Sequence, residues 1–271
     1  MVAHPPPATT PPSNPRNAVI ELRGVSKRFG RLIVLRNIEL ALEPGKTTVI
    51  IGESGVGKSV VLKHMVRLLR PDRGEVYFKG QRIDLLPERK LVDLRTRFGF
   101  LFQMGALFDS LTVGENIAFP VVEHTSRKSD EVEKIVKDKL RMVGLDGIEN
   151  KKPAELSGGQ RKRVALARAI ALNPEVILYD EPTTGLDPIR SDIINELIRK
   201  LQRELNVTSV VVTHDMTSVR KVGDRVIMLH EGRFIFDGTP AELDKSEDER
   251  VSHFVQGHAS ASDLARLKAK G

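Results

Sequence analysis

A glycine-rich junction between a buried strand and a helix restricts the fold of this 271-residue chain more than any other feature. The run Thr47–Gly52 is almost wholly apolar and β-branched, which is typical of a strand buried on both faces of a parallel sheet. The segment Gly52–Ser59, GESGVGKS, follows it and matches the pattern GxxxxGK with a final Ser or Thr. A helical stretch then runs from Lys58 to about Leu69, where Pro71 ends it. A strand, a glycine loop and a helix in this order predict an α/β protein.

This loop has the chemistry of a phosphate-binding site. Its glycines allow successive backbone N–H groups to point into one cavity, and the following helix adds the partial positive charge of its N-terminus. Lys58 is predicted to reach the β- and γ-phosphates of a nucleotide, and the Ser59 hydroxyl to bind Mg²⁺. A glycine-rich turn with a surface lysine is the alternative, which the buried strand before the loop disfavours. The residues predicted to bind the nucleotide here are Gly52, Glu53, Ser54, Gly55, Val56, Gly57, Lys58, Ser59 and Val60.

A second buried strand carries two acids at its end. The run EVILYD, Glu175–Asp180, is followed at once by Glu181. Buried carboxylates are costly unless they serve a metal ion or a partner. Asp180 is therefore predicted to hold the Mg²⁺ shell with Ser59, and Glu181 to face the γ-phosphate and polarise the attacking water. An acid at a loop entry, without a chemical role, is the alternative for Glu181.

The rest of the chain divides into regions with different patterns. Short β-type runs between residues 18 and 83 predict an antiparallel sheet around the first nucleotide-binding element. Residues 92–165 are predicted to be mainly helical, and Asp130–Leu145 is the clearest amphipathic segment. The strands Glu175–Asp180 and Thr208–His214 flank a predicted helix, Ser191–Leu205, which makes a strand–helix–strand unit of a parallel sheet. A final hairpin is predicted after that unit.

Composition argues against several other functions. The chain has no cysteine, which excludes a disulfide scaffold, a thiolate metal site and a cysteine nucleophile. Its net charge of +7 is compatible with nucleic acid or an anionic membrane, but the basic residues are spread along the chain, and only two tyrosines and no tryptophan are available for stacking. We therefore expect no nucleic-acid partner. No apolar run approaches the roughly 20 residues that span a bilayer, so a membrane role is expected to come through a partner.

Several further motifs, and their order, resemble one family. LSGGQ (Leu156–Gln160) stands before a predicted helix and is similar to the signature of ABC ATPases. Gln103, GLDP (Gly185–Pro188) and His214 occupy that family's positions relative to it, so the chain is identified as a member along nearly its whole core. The resemblance implies an α/β P-loop ABC nucleotide-binding domain with a RecA-like parallel sheet core, an antiparallel β subdomain and a helical subdomain. It also implies an ATPase whose cofactors are ATP and Mg²⁺.

On this resemblance the chain has three parts. A proline-rich tail, residues 1–17, is predicted to be disordered. The ABC ATPase domain spans residues 18–246 and includes a helical subdomain at about 92–165. A C-terminal extension, residues 247–271, follows and is expected to embrace the neighbouring subunit.

The resemblance assigns the signature motif to a site shared by two copies of the chain. Small residues at a helix start expose N–H groups that can bind an anion. In the family two copies pack head to tail, so that Ser157 and Gly159 contact the γ-phosphate held by the partner, and Asp187 bridges to the opposite phosphate loop. The signature residues expected to bind nucleotide are Ser157, Gly158, Gly159 and Gln160.

Three single positions receive roles by the same resemblance. Phe29 matches the aromatic residue that stacks on adenine, with a core phenylalanine as the alternative. Gln103 matches the glutamine that senses Mg²⁺ and the attacking water and contacts the transport partner. His214 matches the histidine that bonds the γ-phosphate and orients Glu181, with a structural strand-end histidine as the alternative. The implied catalytic set is Lys58, Gln103, Glu181 and His214, and the implied Mg²⁺ set is Ser59, Gln103 and Asp180.

Three classes of ABC protein compete. Translation-type factors carry two nucleotide units, whereas this chain has one set of motifs. Chromosome-maintenance ATPases have a long coiled coil between Gln103 and the signature, for which this chain has no room. We therefore expect a transporter ATPase that is peripheral to the cytoplasmic face of the inner membrane and bound to permease subunits.

The segment Gln103–Thr125 bears on the transported substrate. Its sequence, QMGALFDSLTVGENIAFPVVEHT, resembles the ATPases of Mce-type phospholipid transport systems at the place where the ATPase meets its permease. The expected function is ATP hydrolysis that powers phospholipid transport, with a lipid-binding Mce-type protein as a further partner. One alternative is that the segment reflects only general ABC ancestry. The other is an importer of polar small molecules such as amino acids.

Overall fold

The computed structural model describes residues 18–258. The predicted tail at 1–17 lies outside these residues, as does the last part of the C-terminal extension. The strands of the described part are β1 (Ile20–Phe29), β2 (Leu32–Leu42), β3 (Thr47–Ile51), β4 (Arg73–Phe78), β5 (Gln81–Arg82), β6 (Phe98–Leu101), β7 (Val176–Asp180), β8 (Thr208–Val212), β9 (Arg225–His230) and β10 (Arg233–Gly238). Its helices are α1 (Lys58–Met65), α2 (Glu88–Arg95), α3 (Val113–His124), α4 (Ser129–Met142), α5 (Gly158–Ala169), α6 (Pro188–Leu205), α7 (Met216–Val222), α8 (Pro240–Leu243) and α9 (Glu249–Gln256).

A six-stranded sheet in the order β10-β9-β3-β8-β7-β6 forms the centre of the fold. β3 pairs in parallel with β8 and β9, and β7 pairs in parallel with β6 and β8. At one edge β10 pairs antiparallel with β9. Every residue of β3, β7 and β8 is buried, which explains why these strands are nearly continuous apolar runs without alternation. The predicted parallel α/β core is confirmed.

Alternate residues of the central strands pack against different layers. Val49 and Val211 lie on one face, where they pack with side chains from α3 to α7. Ile50 and Leu178 lie on the other face, where they pack with α1 and with a second, antiparallel sheet of order β2-β1-β4-β5. Because side chains alternate along a strand, one run of sequence serves two cores. The antiparallel sheet consists of the β-type runs that the sequence predicts for it.

The segment predicted to be mainly helical contains a strand. Phe98–Leu101 forms β6 and pairs in parallel with β7 at the edge of the central sheet. The helical interpretation of residues 92–165 is wrong for these four residues, because so short a run takes its conformation from its pairing with β7 and not from local propensity. After β6, helices α3, α4 and α5 pack against one another and form the helical layer.

Two element ends, one after the glycine loop and one beside Asp180 and Glu181, differ from the sequence expectation. α1 ends at Met65, earlier than predicted, because Arg67 adopts a left-handed φ of +55° that stops the helix. β8 ends at Val212, so His214 lies in the loop after the strand and not at its last position. The loop position leaves the His214 side chain free to turn towards neighbouring strand ends.

The described part of the C-terminal extension packs on the domain itself. In α9 the Val251 side chain is fully buried, and Phe254 and Val255 pack against the main core. Gly257 ends this helix in the left-handed conformation. Neither α9 nor any other helix of residues 18–258 is long and apolar enough to cross a membrane.

Replacing Leu178 by alanine is expected to lower the free energy of unfolding by about 2–5 kcal/mol, because the fully buried side chain would leave a cavity between two layers. Leu85, which is 58% exposed, is the matched control. Its alanine variant is expected to change the free energy of unfolding by less than about 0.5 kcal/mol. Urea denaturation followed by circular dichroism measures both values, and equal destabilisation would contradict the layer assignment.

Candidate functional site

The glycine loop joins the carboxyl end of β3 to the first residue of α1. Gly52, Gly55 and Gly57 have φ angles of +148°, +80° and +112°, a region that residues with side chains rarely adopt. A Cβ atom at Gly52 would lie 2.3 Å from the carbonyl oxygen of Leu229. A Cβ atom at Gly57 would lie 2.6 Å from Cγ1 of Val34, so sterics and backbone conformation both require glycine there. The other loop residues, exposed or half-buried, are Glu53, Ser54, Val56, Ser59 and Val60.

The start of α1 provides backbone donors that the helix itself does not use. Its N-cap residue, Gly57, has no side chain to cap the helix, and the first turn contains no acidic residue. The N–H groups of a first helical turn have no carbonyl four residues earlier in the helix to bind. That of Val60 donates to the carbonyl oxygen of Gly57 at 3.0 Å, which leaves those of Lys58 and Ser59. The loop therefore combines N–H donors with the positive end of a helix dipole, which is the arrangement that binds anions.

Lys58 is a buried cation that folds back onto this loop. Its Nζ atom donates hydrogen bonds to the carbonyl oxygens of Gly52 at 2.8 Å and of Glu53 at 3.0 Å. The same atom lies 3.5 Å from Oε1 of Glu181. Burial lowers the pKa of Lys58, and the Glu181 carboxylate opposes that shift. The ammonium group is thus held where a phosphate at the loop would meet it.

Ser59 and Asp180 form an oxygen pair suited to a magnesium ion. The Ser59 hydroxyl donates a hydrogen bond of 2.7 Å to Oδ1 of Asp180. Burial raises the pKa of Asp180, so the ionised carboxylate would gain from a nearby cation. Mg²⁺ prefers oxygen ligands and is commonly held by one or two protein groups together with phosphate oxygens and water. Residues 18–258 contain no cluster of three or more His, Cys, Asp or Glu residues that would hold a metal without such help.

Glu181 lies directly after β7, with its carboxylate surrounded by potential partners. Nδ1 of His214 is 2.9 Å from Oε2 of Glu181. The Thr184 hydroxyl donates to the same oxygen at 3.2 Å. Glu181 is only 8% exposed, whereas the His214 side chain is 51% exposed and accessible from solvent. The ammonium group of Lys58, the imidazole and the hydroxyl together orient this carboxylate.

Sequence reasoning misses two residues of this site, Thr184 and Lys162. Lys162 lies in α5, and its Nζ atom donates to the carbonyl oxygens of Glu181 at 3.2 Å and of Pro182 at 2.8 Å. Burial lowers the pKa of Lys162 to about 8. The sequence contains one indication of a role for Lys162, which is its position on the face of α5 that also carries the buried Leu166. A lysine on a buried face needs hydrogen-bonding partners.

The signature segment forms the start of α5 and caps that helix. The Ser157 hydroxyl accepts a hydrogen bond from the Gln160 N–H at 3.3 Å. The Gln160 side-chain oxygen accepts one from the Ser157 N–H at 2.9 Å, which completes a capping box. Gly158 and Gly159 leave the first turn without side chains. Among the described residues no hydrogen bond joins this segment to the glycine loop.

The remaining predicted site residues are exposed. Phe29 ends β1 and is 46% exposed, with the Lys27 ammonium group 5.5 Å from its ring centroid, so the alternative of a core phenylalanine is wrong. Asp187 caps the start of α6, where Pro188 is the first helical residue. Gln103 follows β6, and in the part of the chain that is described no hydrogen bond links it to the Ser59–Asp180 pair. Its contact with Mg²⁺ stays a prediction.

Comparison with known proteins finds one family model and relatives that match most of the chain. The family model described as ABC transporter matches residues 35–184. The chain is 42% identical over 241 residues to the intermembrane phospholipid transport system ATP-binding protein MlaF of Haemophilus influenzae, a match that covers 89% of this chain and 91% of that protein. It is 41% identical over 243 residues to a probable ribonucleotide transport ATP-binding protein of Mycobacterium leprae, which covers 90% of this chain and 70% of that protein.

A solved structure of similar fold contains nucleotide. It is a dimeric ATP-binding cassette in a post-hydrolysis state, bound to ADP and Pi, and it matches with a TM-score of 0.76 and 36% sequence identity. The match covers 82% of this chain and 98% of that chain. The fold class expected from the motifs is therefore confirmed.

Replacing Lys58 by alanine is expected to weaken binding of a fluorescent ATP analogue about 10- to 100-fold, because a hydrogen bond to a charged group contributes roughly 1.5–3 kcal/mol. Lys46→Ala is the matched control. Lys46 is exposed just before β3, at the opposite end of that strand from the loop, so its loss removes the same charge without touching the site. The dissociation constant of the Lys46→Ala variant for the ATP analogue is expected to stay within about twofold of wild type, since exposed charges at this distance are screened. Fluorescence titration measures both variants, and an equal loss would contradict the placement of Lys58.

Proposed function

The chain belongs to the ABC transporter family as its ATP-hydrolysing subunit, and we propose that it works as a head-to-tail dimer that drives a phospholipid permease. One observation carries this proposal. Lys58, Glu181 and His214 converge at the carboxyl edge of the parallel sheet, next to the oxygen pair of Ser59 and Asp180. The carboxyl edge is where open α/β sheets bind their ligands.

Each group at this edge has a role in the proposed hydrolysis. Lys58 and the N–H groups of the loop would hold the β- and γ-phosphates. Ser59 and Asp180 would hold Mg²⁺, which when bound neutralises charge on the phosphate oxygens. Glu181, beside both Lys58 and His214, would orient the attacking water and accept its proton. His214 would keep the carboxylate in that orientation through its 2.9 Å contact.

The residues of one chain supply half of the proposed ATP site. The signature segment Ser157–Gln160 is a helix start of the kind that binds anions, with Ser157 exposed, Gly158 and Gln160 half-buried and Gly159 buried. The solved dimer of similar fold holds ADP and Pi, which supports the same assembly here. We infer that Ser157 and Gly159 contact the γ-phosphate held by the partner, and that Asp187 bridges to the partner's loop. Phe29, exposed at the end of β1, would stack on adenine.

Replacing Glu181 by glutamine is expected to lower ATP hydrolysis about 100-fold or more, because the amide cannot accept a proton from water. Unhydrolysed ATP should then hold the dimer closed. Phosphate release measures turnover, and size-exclusion chromatography with and without Mg²⁺ and ATP measures the dimer. Glu204→Gln, at an exposed position of α6, is the control and should keep normal turnover. Normal turnover by the Glu181→Gln variant would remove Glu181 from the catalytic role.

The C-terminal extension is proposed to embrace the neighbouring subunit. α9 packs on its own domain through Val251, and residues 259–271 lie outside the described part. Ending the chain after Gly257 preserves the packing of α9, which makes this truncation a cleaner test than removal of the whole extension. In the Glu181→Gln background, an ATP-trapped dimer of unchanged stability would contradict the proposal.

An aromatic groove beside the Gln103 segment is the proposed contact with the permease. It has a volume of about 360 Å³ and is lined by side chains of α2, β6, α3 and α5 and of the loop that follows β6. The Phe100 and Phe102 rings stack at 4.2 Å, and the Phe108 and Phe119 rings lie 4.9 Å apart. Phe108 and Phe119 are both exposed, and clustered exposed aromatic rings mark protein contact surfaces. We propose that a short permease helix fills this groove, and that Gln103, next to Phe102, carries its movement to the ATP site.

Phospholipid is the proposed substrate of that permease. The relative named for phospholipid transport is matched over 91% of its length, and the relative named for ribonucleotide transport over 70%. The segment Gln103–Thr125, which contributes to the groove, also resembles the phospholipid systems. The second candidate is an importer of polar small molecules, a class that includes ribonucleotides and amino acids.

The proposed location is the cytoplasmic face of the inner membrane, with a lipid-binding Mce-type protein as a further partner.

Isolating the tagged chain with its partners from native membranes, and identifying the bound molecules by mass spectrometry, tests the substrate. Phospholipid should be enriched over the bulk membrane composition. Phe119→Asp should lose the permease, because it places a charge inside the groove, while ATP binding is kept. Leu85→Asp, at an exposed position outside the groove, is the control and should retain the permease. Amino acids or nucleotides without phospholipid would overturn the lipid assignment.

A further inference from the structure

Glu181 adopts a backbone conformation that its surroundings must hold. Its φ of +49° lies in the left-handed region, which a residue with a long side chain seldom adopts without support. The residue stands between the end of β7 and the loop that leads to α6. If its peptide turned to a more common conformation, the carboxylate would move away from Lys58 and His214. The direction of this side chain therefore depends on what restrains its backbone.

Backbone hydrogen bonds and one side chain restrain this backbone. The N–H of Glu181 donates to the carbonyl oxygen of Val212 at 2.9 Å, which continues the pairing of β7 with β8, and the carbonyl oxygen of Glu181 accepts from the N–H of Thr184 at 3.3 Å. The ammonium group of Lys162 donates to the carbonyl oxygens of Glu181 and Pro182 at 3.2 Å and 2.8 Å. The two backbone bonds do not depend on any side chain. The other two depend on one side chain, that of Lys162.

Lys162 occupies a position where packing alone would favour an apolar side chain. It is 8% exposed on the buried face of α5, next to residues such as Leu166 and Ala165. Burial of an ammonium group is unfavourable unless its donors are satisfied, and the lowered pKa of about 8 records that cost. The two backbone carbonyl oxygens accept hydrogen bonds from two of its three N–H donors. The contacts that justify a lysine here are therefore those with the backbone of the hydrolytic acid.

We propose that Lys162 is a positioning residue for ATP hydrolysis, whose ammonium group clamps the carbonyls of Glu181 and Pro182 and so sets the direction of the Glu181 carboxylate. This inference rests on the proposed function, because it takes Glu181 as the group that orients water. Lys162 lies on the helix that begins with the signature segment. In the proposed dimer, α5 therefore reaches the partner's ATP through Ser157 and supports the acid that acts on the ATP of its own chain.

Lys162→Met removes the donors and keeps an unbranched side chain that is one atom shorter. We expect kcat for ATP hydrolysis to fall about tenfold or more, with the KM for ATP changed by less than about threefold, because the phosphate loop is untouched. Lys162→Gln keeps a donor group and is expected to recover part of kcat. It also supplies the comparison if the methionine variant does not fold. A kcat of Lys162→Met within about twofold of wild type would overturn the proposal.

Lys139→Met is the matched control for burial and charge. Lys139 is a lysine of α4 that is as buried as Lys162, and its ammonium group binds the side chain of Asn173 in the helical layer. Burial lowers the pKa of Lys139 as well. Loss of this lysine is expected to lower Tm but to leave kcat within about twofold of wild type. A tenfold fall in kcat for both lysine variants would show a general effect of destabilisation and would overturn the specific role of Lys162.

A second measurement separates positioning from folding. In the Glu181→Gln background, Lys162→Met is expected to leave the ATP-trapped dimer intact, because the clamp acts on hydrolysis and not on nucleotide binding. Loss of that dimer would assign Lys162 a structural role and overturn the proposal. The proposed function fails by a different result, namely normal hydrolysis by Glu181→Gln alone.

Discussion

Charge compensation at the carboxyl edge of the central sheet is the interaction on which the rest of the site depends. The Lys58 ammonium group and the carboxylates of Asp180 and Glu181 are all buried there, and each would be costly without the others. They come from the loop after β3 and from the end of β7, and both strands pair with β8. The register of three parallel strands therefore sets the distances among the charges. A site of this kind cannot exist before the sheet is assembled.

Two helix starts in the chain are built in different ways, and the difference matches their proposed roles. α1 begins after Gly57, an N-cap residue without a side chain, and the loop before it wraps the space where phosphates would bind. α5 begins with a complete capping box between Ser157 and Gln160. Its own cap stabilises α5, so this helix start is formed before any partner arrives. A preformed surface of this kind suits a contact made across a dimer interface.

One helix connects several parts of the proposed machine. The N-terminus of α5 carries the signature, its middle carries Lys162 beneath Glu181, and its last turn carries Arg168. The Arg168 guanidinium donates to the carbonyl oxygens of Gly105 and Ala106 in the segment after β6, and it lines the aromatic groove. A shift of α5 would therefore act on Glu181, on the proposed contact with the partner's nucleotide and on the proposed permease contact together. This physical continuity supports a cycle in which closure of the dimer and movement of the permease occur as one event.

The sequence by itself determined the glycine loop, the acids Asp180 and Glu181 at the end of β7 and the signature, because in each case the chemistry lies in adjacent residues. The glycine pattern that includes Gly57, and the acid Asp180 at the end of an apolar run, are visible in the local sequence without knowledge of the fold. The strand Phe98–Leu101 has no such local pattern, since its conformation comes from pairing with β7, a segment far along the chain. Only the tertiary structure placed Lys162 under Glu181 and left Phe29 exposed. The physical reason is that backbone geometry and charge are properties of neighbouring residues. Burial, and hydrogen bonds between residues far apart in the sequence, exist only after distant strands and helices have packed.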